Sequence, residues 1–138
     1  MFDPLQATLK TASHGLSAQS ARMRIVSENL ANAQSSGSTP GADPYRRKTV
    51  NFENVLDAAV GVDMVQVSRV MQDTAPFKTE FDPSHAAADA NGMVKMPNVD
   101  MLVELADMRE SMRSYSANAQ VIKQVREMVS MTVDLLRA

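Results

Sequence analysis

Cysteine and tryptophan are absent from this chain of 138 residues, and its other aromatics are two Tyr and four Phe. Without cysteine there are no disulfides, no thiolate nucleophile and no thiolate metal site, and the redox compartment cannot be read. A strong excess of either sign of charge is also missing. Fourteen Lys and Arg against sixteen Asp and Glu give a formal net charge of −2, which is not the basic field that binds nucleic acid. No apolar run approaches the eighteen or so residues of a membrane-spanning helix. The opening "MFDPLQATLK" lacks a positively charged start followed by an apolar stretch, so no cleaved secretory signal is expected.

What is abundant is methionine, eleven residues of it. Its flexible, polarizable side chain fills irregular gaps and suits surfaces that pack against several partners. It also substitutes for Leu in an ordinary core, and composition alone does not separate the two uses. A compact domain of this length buries roughly two thirds of its unfolded surface.

Residues 1–34 form the first segment, and about residues 4–34 of it read as one helix. Asp3 stands at the cap and Pro4 in the first turn, as helix starts favour. Leu9, Leu16, Met23 and Leu30 recur every seven residues, with Leu5, Ala12, Val26 and Ala33 at the other seam position and Gln19 its one polar member. That is a heptad pattern, and at ~1.5 Å per residue the helix is about 45 Å long. Gly15 lies inside it at a cost of roughly 1 kcal/mol relative to Ala. Off the seam the charged residues are Lys10, Arg22, Arg24 and Glu28, and the remainder is mostly Ser, Thr, Ala, Gln and Asn. A helix back that faces water usually carries Lys and Glu. This one is suited to being surrounded by protein.

Residues 35–97 differ in character. Pro, Gly and Asp cluster at 37–44, 61–63, 73–76, 82–83 and 91–92, marking turns. Period-two alternation at Val50 and Phe52, at Val65 and Val67, at Phe77, Thr79 and Phe81, and over Met93–Met96 predicts a small, loop-rich β region. A helical turn is expected near Phe52–Ala59. In residues 98–138 the helical period returns through Met101, Leu105, Met108, Met112, Tyr115, Ala119 and Ile122. It then slips to Val125, Val129, Thr132 and Leu136, broadened by Val121, Met128 and Leu135. Pro97 suits its start, with Asn98 or Asp100 as cap. The expected architecture is mainly α: long N- and C-terminal helices packed together as a coiled coil, with the β insert between them. One antiparallel pair cannot cover both seams and the broad C-terminal stripe, so other copies or partners are expected to do so.

Candidate chemistry is sparse. "DPSH", Asp82–His85, holds the residue types of a hydrolase triad. Triads, however, work by convergence in space, and Asp-Pro-Ser is a turn by itself. His14 and His85 have no ligand-spaced carboxylates beside them. Gly37, Gly41, Gly61 and Gly92 match no phosphate-cradling pattern. Arg46, Arg47 and Lys48 could meet phosphate, although such charges beside a strand commonly face solvent or pair with acidic neighbours. No catalytic, cofactor-binding or metal-ligating residue is nominated, and an enzyme is not expected. A cytosolic coiled-coil adaptor accounts for the heptads. The subunit of a polymer accounts for the heptads and for the neutral outer face.

Ser13–Gln19, "SHGLSAQ", followed by Asn29–Ala33, "NLANA", with Gly37 soon after, resembles the N-terminal motif of bacterial flagellar rod and hook proteins. Arg113, Tyr115, Ala117 and Asn118, in "RSYSAN", are similar to that family's C-terminal motif. "DPYRRKTVNFE", residues 43–53, and "DPSHAAADANGMVKMPNVD", residues 82–100, resemble its proximal rod proteins. The resemblance implies a non-enzymatic subunit of the basal-body rod, the shaft that carries torque from motor to hook in motility. The rod lies in the periplasmic space, and such subunits leave through the flagellar type III export apparatus without signal cleavage. Implied partners are other copies of the chain, other rod proteins and the junction protein that joins the rod to the inner-membrane ring. The expected assembly surface is Leu5, Leu9, Leu16, Ser20, Met23, Val26, Asn29, Leu30 and Asn32 on the first helix. On the second it is Leu105, Met108, Met112, Arg113, Tyr115, Asn118, Ile122, Val125 and Val129.

Overall fold

The computed structural model describes residues 4–137. Helix α1 spans Pro4–Ala31 and helix α2 spans Met101–Arg137. Between them lie β1 (Lys48–Asp57), β2 (Val62–Gln72), β3 (Lys78–Phe81) and β4 (Met93–Met96). The architecture is the expected one, two long terminal helices with a small antiparallel β region between them. The Asp3 cap falls outside the described residues. α1 ends three residues before the expected Gln34: Asn32 donates from Nδ2 to the Glu28 carbonyl at 2.9 Å, and residues 32–34 form a turn. Of the two candidate caps for α2, Asp100 is the one used, its Oδ1 accepting from the backbone of Leu102 at 2.9 Å and Val103 at 3.3 Å.

The helices pack antiparallel, and neither turns its apolar stripe squarely to the other. Gly15, Arg22 and Asn29 of α1 meet Asn118, Asp107 and Glu104 of α2. Each of those α1 residues stands one position before Leu16, Met23 and Leu30, which are half-buried. On α2 the residues turned inward are Glu104, Asp107, Ser111 and Asn118, again one position off the apolar stripe, and then Val125, where the stripe itself slips onto the inner face. One residue is about 100° of helix rotation. Small and polar residues therefore line the contact, and the large apolar ones lie beside it. Gly15 now has a reason: a Cβ there would stand 2.7 Å from Asn118 Nδ2. The glycine makes room for the Asn118 side chain against the backbone of α1.

β1 and β2 form an antiparallel hairpin with a bulge between Asn51 and Phe52. The helical turn expected near Phe52–Ala59 does not form, because β1 continues to Asp57 in register with β2. The chain then turns at Ala58–Gly61, where Gly61 takes φ +64° and donates to the Asp57 carbonyl at 2.7 Å. The hairpin lies along α1. Met64 is buried against it beside Thr11, and Lys10 pairs with Asp57 at 3.0 Å near the tip. The neutral back of α1 is thus covered in part by its own chain. The core is thin: Ala12, Ala18, Ile25 and Val26 of α1, Val60 of the hairpin turn, Met64 of β2, Val125 of α2 and a patch around Ala87, Val94 and Val99.

If Gly15 sets the helix spacing, Gly15→Leu should lower stability by ~1–3 kcal/mol, the usual penalty for overpacking. Asn118→Ala should recover part of the loss. Thermal unfolding of the purified chain checks this; a Gly15→Leu protein melting with the wild type would show that the helices do not meet there.

Candidate assembly interface

"YRRK", Tyr45–Lys48, is where the chain returns from the α1 turn to enter β1, and each of its four side chains has a partner. Tyr45 donates its hydroxyl to Asn29 Oδ1 at 2.8 Å. Burial, followed by the Glu28 and Glu104 carboxylates, pushes that phenol up to about 12. Arg46 lies over the Phe77 ring at 4.1 Å and donates to the carbonyls of Asp73 and Ala75. Arg47 donates from Nε to Glu104 Oε1 at 2.6 Å and from Nη1 to Asp73 Oδ2 at 3.4 Å. Lys48 pairs with Glu28. These are internal bonds, so the basic triplet is neither a solvated face nor a phosphate site.

The bonds converge on two buried polar groups. Asn29, 1% exposed, donates to the Lys48 carbonyl at 2.8 Å and to Glu104 Oε2 at 3.1 Å. Its Oδ1 accepts from Tyr45 and from the Lys48 backbone at 2.8 Å. Glu104 is fully buried, and both of its oxygens are engaged. A buried carboxylate is tolerated only when paired and hydrogen-bonded in this way.

"DPSH" is a turn. Ser84 donates its hydroxyl to Asp82 at 2.6 Å rather than to His85, and that bond holds the Asp82 carboxyl below its ordinary value. His85 accepts the Ala87 N–H at Nδ1, so Nε2 is its donor toward Ser36, 3.2 Å away. The stretch ties the loop after α1 to the β3–β4 ribbon and has no triad geometry.

The residues expected at an assembly surface divide into two sets. Val26, Asn29 and Val125 are buried within the subunit, Asn32 closes α1, and Asn118 faces Gly15. These hold the chain together. Leu5, Leu9, Leu16, Met23, Leu30, Met108 and Ile122 are half-buried, while Ser20 and Arg113 are exposed. Leu105, Met112, Tyr115 and Val129 are exposed as well, Met112 by 55%. Beyond them the end of α2 presents Met131, Val133, Leu135 and Leu136 to solvent. With Gly15 opposite Asn118, α2 runs on past the start of α1 by roughly two turns. The result is a long, uncovered apolar face on one helix. Sequence reasoning missed Glu104, Tyr45 and Arg47, although Gly15, Arg22 and Asn29 share a heptad spacing that could have pointed to the second seam.

Two family models match this chain: the flagella basal body rod protein family over residues 9–42, and the C-terminal family of flagellar basal body rod FlgEFG proteins over residues 90–135. Flagellar basal-body rod protein FlgC of Agrobacterium fabrum is 60% identical over 99% of both chains. FlgC of Salmonella typhimurium is 42% identical over 90% of this chain and 92% of its own. FlgC of Borreliella burgdorferi is 32% identical over 96% and 98%. The chain belongs to the FlgC family of flagellar basal-body rod proteins. FlgC membership favours the polymer subunit over the coiled-coil adaptor, and it gives the outward face of α2 a context.

The neighbours Ser111 and Met112 separate the two faces of this FlgC-family helix. Met112→Glu should change the stability of the isolated chain by no more than about 0.5 kcal/mol, as surface substitutions do, yet abolish swimming. Ser111→Leu should destabilise the isolated chain by ~1–3 kcal/mol. Denaturant unfolding beside motility assays checks both, and equal stability losses would mean that the helix has no outward face.

Proposed function

We propose that this chain is a non-enzymatic subunit of the proximal part of the flagellar basal-body rod. Its place is within the periplasmic space, and it reaches that place through the flagellar type III export apparatus without signal cleavage. Members of the FlgC family are rod proteins by name, and the subunit role follows from membership. The observation that carries the finer reading is the set of apolar side chains α2 leaves exposed, Leu105, Met112 and Tyr115 along its first half and Met128, Val129, Met131, Val133, Leu135 and Leu136 toward its end. An exposed apolar surface of this extent marks an interaction site, and contacts that join different faces of successive subunits build an open helical assembly.

In this reading residues 1–34 and 98–138 form the helical shaft portion and residues 35–97 the β portion. Leu105, Met112, Arg113, Tyr115 and Val129 meet neighbouring chains: other copies, other rod proteins and the junction protein of the inner-membrane ring. Leu9, Leu16, Ser20, Met23 and Leu30 do the same from α1. Among the described residues no helix is long and apolar enough to cross a membrane, and the rod role needs none.

The test is a strain lacking this gene, complemented with an epitope-tagged chain, from which basal bodies are isolated. Electron microscopy with antibody should place the tag on the rod next to the inner-membrane ring, and swimming should depend on the chain. Tag confined to the cytosolic fraction of swimming cells would refute the reading.

A further inference from the structure

Arg47 is the point at which four other passages of the chain are held together. Its backbone N–H donates to Asn98 Oδ1 at 2.9 Å, just before α2, and its carbonyl accepts from Asp73 N at 2.8 Å, just after β2. Its guanidinium reaches Glu104 in the first turn of α2, and Glu104 in turn holds Asn29 near the end of α1. Asn98 closes the circuit, donating from Nδ2 to the Ala75 carbonyl at 3.1 Å.

Two facts limit what this pair can do. Glu104 is 0% exposed, so its carboxylate touches no neighbouring chain, and any effect on assembly runs through the shape of its own subunit. Stability is a poor reason for its presence, because a well-packed apolar pair of similar volume commonly equals or exceeds a buried ion pair. What an apolar pair does not supply is direction. The guanidinium fork bonds at fixed angles, whereas apolar side chains slide and rotate.

We infer that Arg47 and Glu104 are a positioning pair that fixes the angle between the helical pair and the two β ribbons, so that the outward faces of neighbouring subunits meet in register. This rests on the rod-subunit reading above.

The test uses the full chain in cells lacking the native gene. Arg47→Met with Glu104→Leu removes the directional bonds and leaves an apolar contact. The melting temperature of the purified protein is measured beside swimming and basal-body yield. The expected result is a cooperatively folded protein, its melting temperature lowered only by the one Asn29 bond that the swap removes, with loss of swimming and of complete rods. A folded protein that swims normally would overturn the inference. Should the apolar pair fail to fold, Arg47→Lys decides, since it keeps the charge and loses the fork. Folded and immotile supports positioning, folded and motile overturns it, and unfolding of both proteins overturns it by making stability the pair's whole role. Cells that swim with no copy of the chain would instead overturn the rod reading itself, whatever the variants do.

Discussion

The side-chain amide of Asn29 can make four hydrogen bonds, and all four are made: two with the Lys48 backbone, one with Tyr45 and one with Glu104. The rest of the fold depends on this group. It sits in the last turn of α1 and joins the strand that returns to the helix that closes the molecule. A buried polar network is favourable when every member is satisfied and costly when one is not. That asymmetry makes the junction selective for one arrangement of helices and ribbons. Away from it the hairpin buries Met64 in β2 and Val60 in its turn and pairs Lys10 with Asp57 at a partly exposed site, where an ion pair adds little.

A second constraint follows from the seam. Because Gly15, Arg22 and Asn29 face Asn118, Asp107 and Glu104, the two helices come together through close approach and directed bonds. Their leucines and methionines lie to the side, and on α2 most of them are open to solvent. A monomer designed for solitude would turn that stripe inward. Here the polar seam fixes the subunit and the apolar stripe is left for neighbours, so that one helix serves two contacts 100° apart.

Much of this was legible in the sequence. Seven-residue spacing located both helices, and the Asn91-Gly92 turn before Met93–Met96 located the last strand. Periodicity gives spacing and not azimuth, which is why the inward face fell one position from the leucines. Phe52–Ala59 read as a helical turn because nothing local announces its partner: the strand exists through pairing with Val62–Gln72, a tertiary effect that overrides propensity. Arg47 and Glu104 lie 57 residues apart. Each alone has the look of a surface charge, and only the fold makes them a pair.

The central claim is that α2 has an inner face committed to its own chain and an outer face committed to others. The absence of native cysteine allows a direct measurement, with single cysteines placed at the adjacent positions Ser111 and Met112 and probed with a water-soluble maleimide. In the free subunit the cysteine of Ser111→Cys should be protected and that of Met112→Cys should react. In isolated rods both should be protected. A Met112→Cys chain that stays fully reactive in assembled rods would contradict the account.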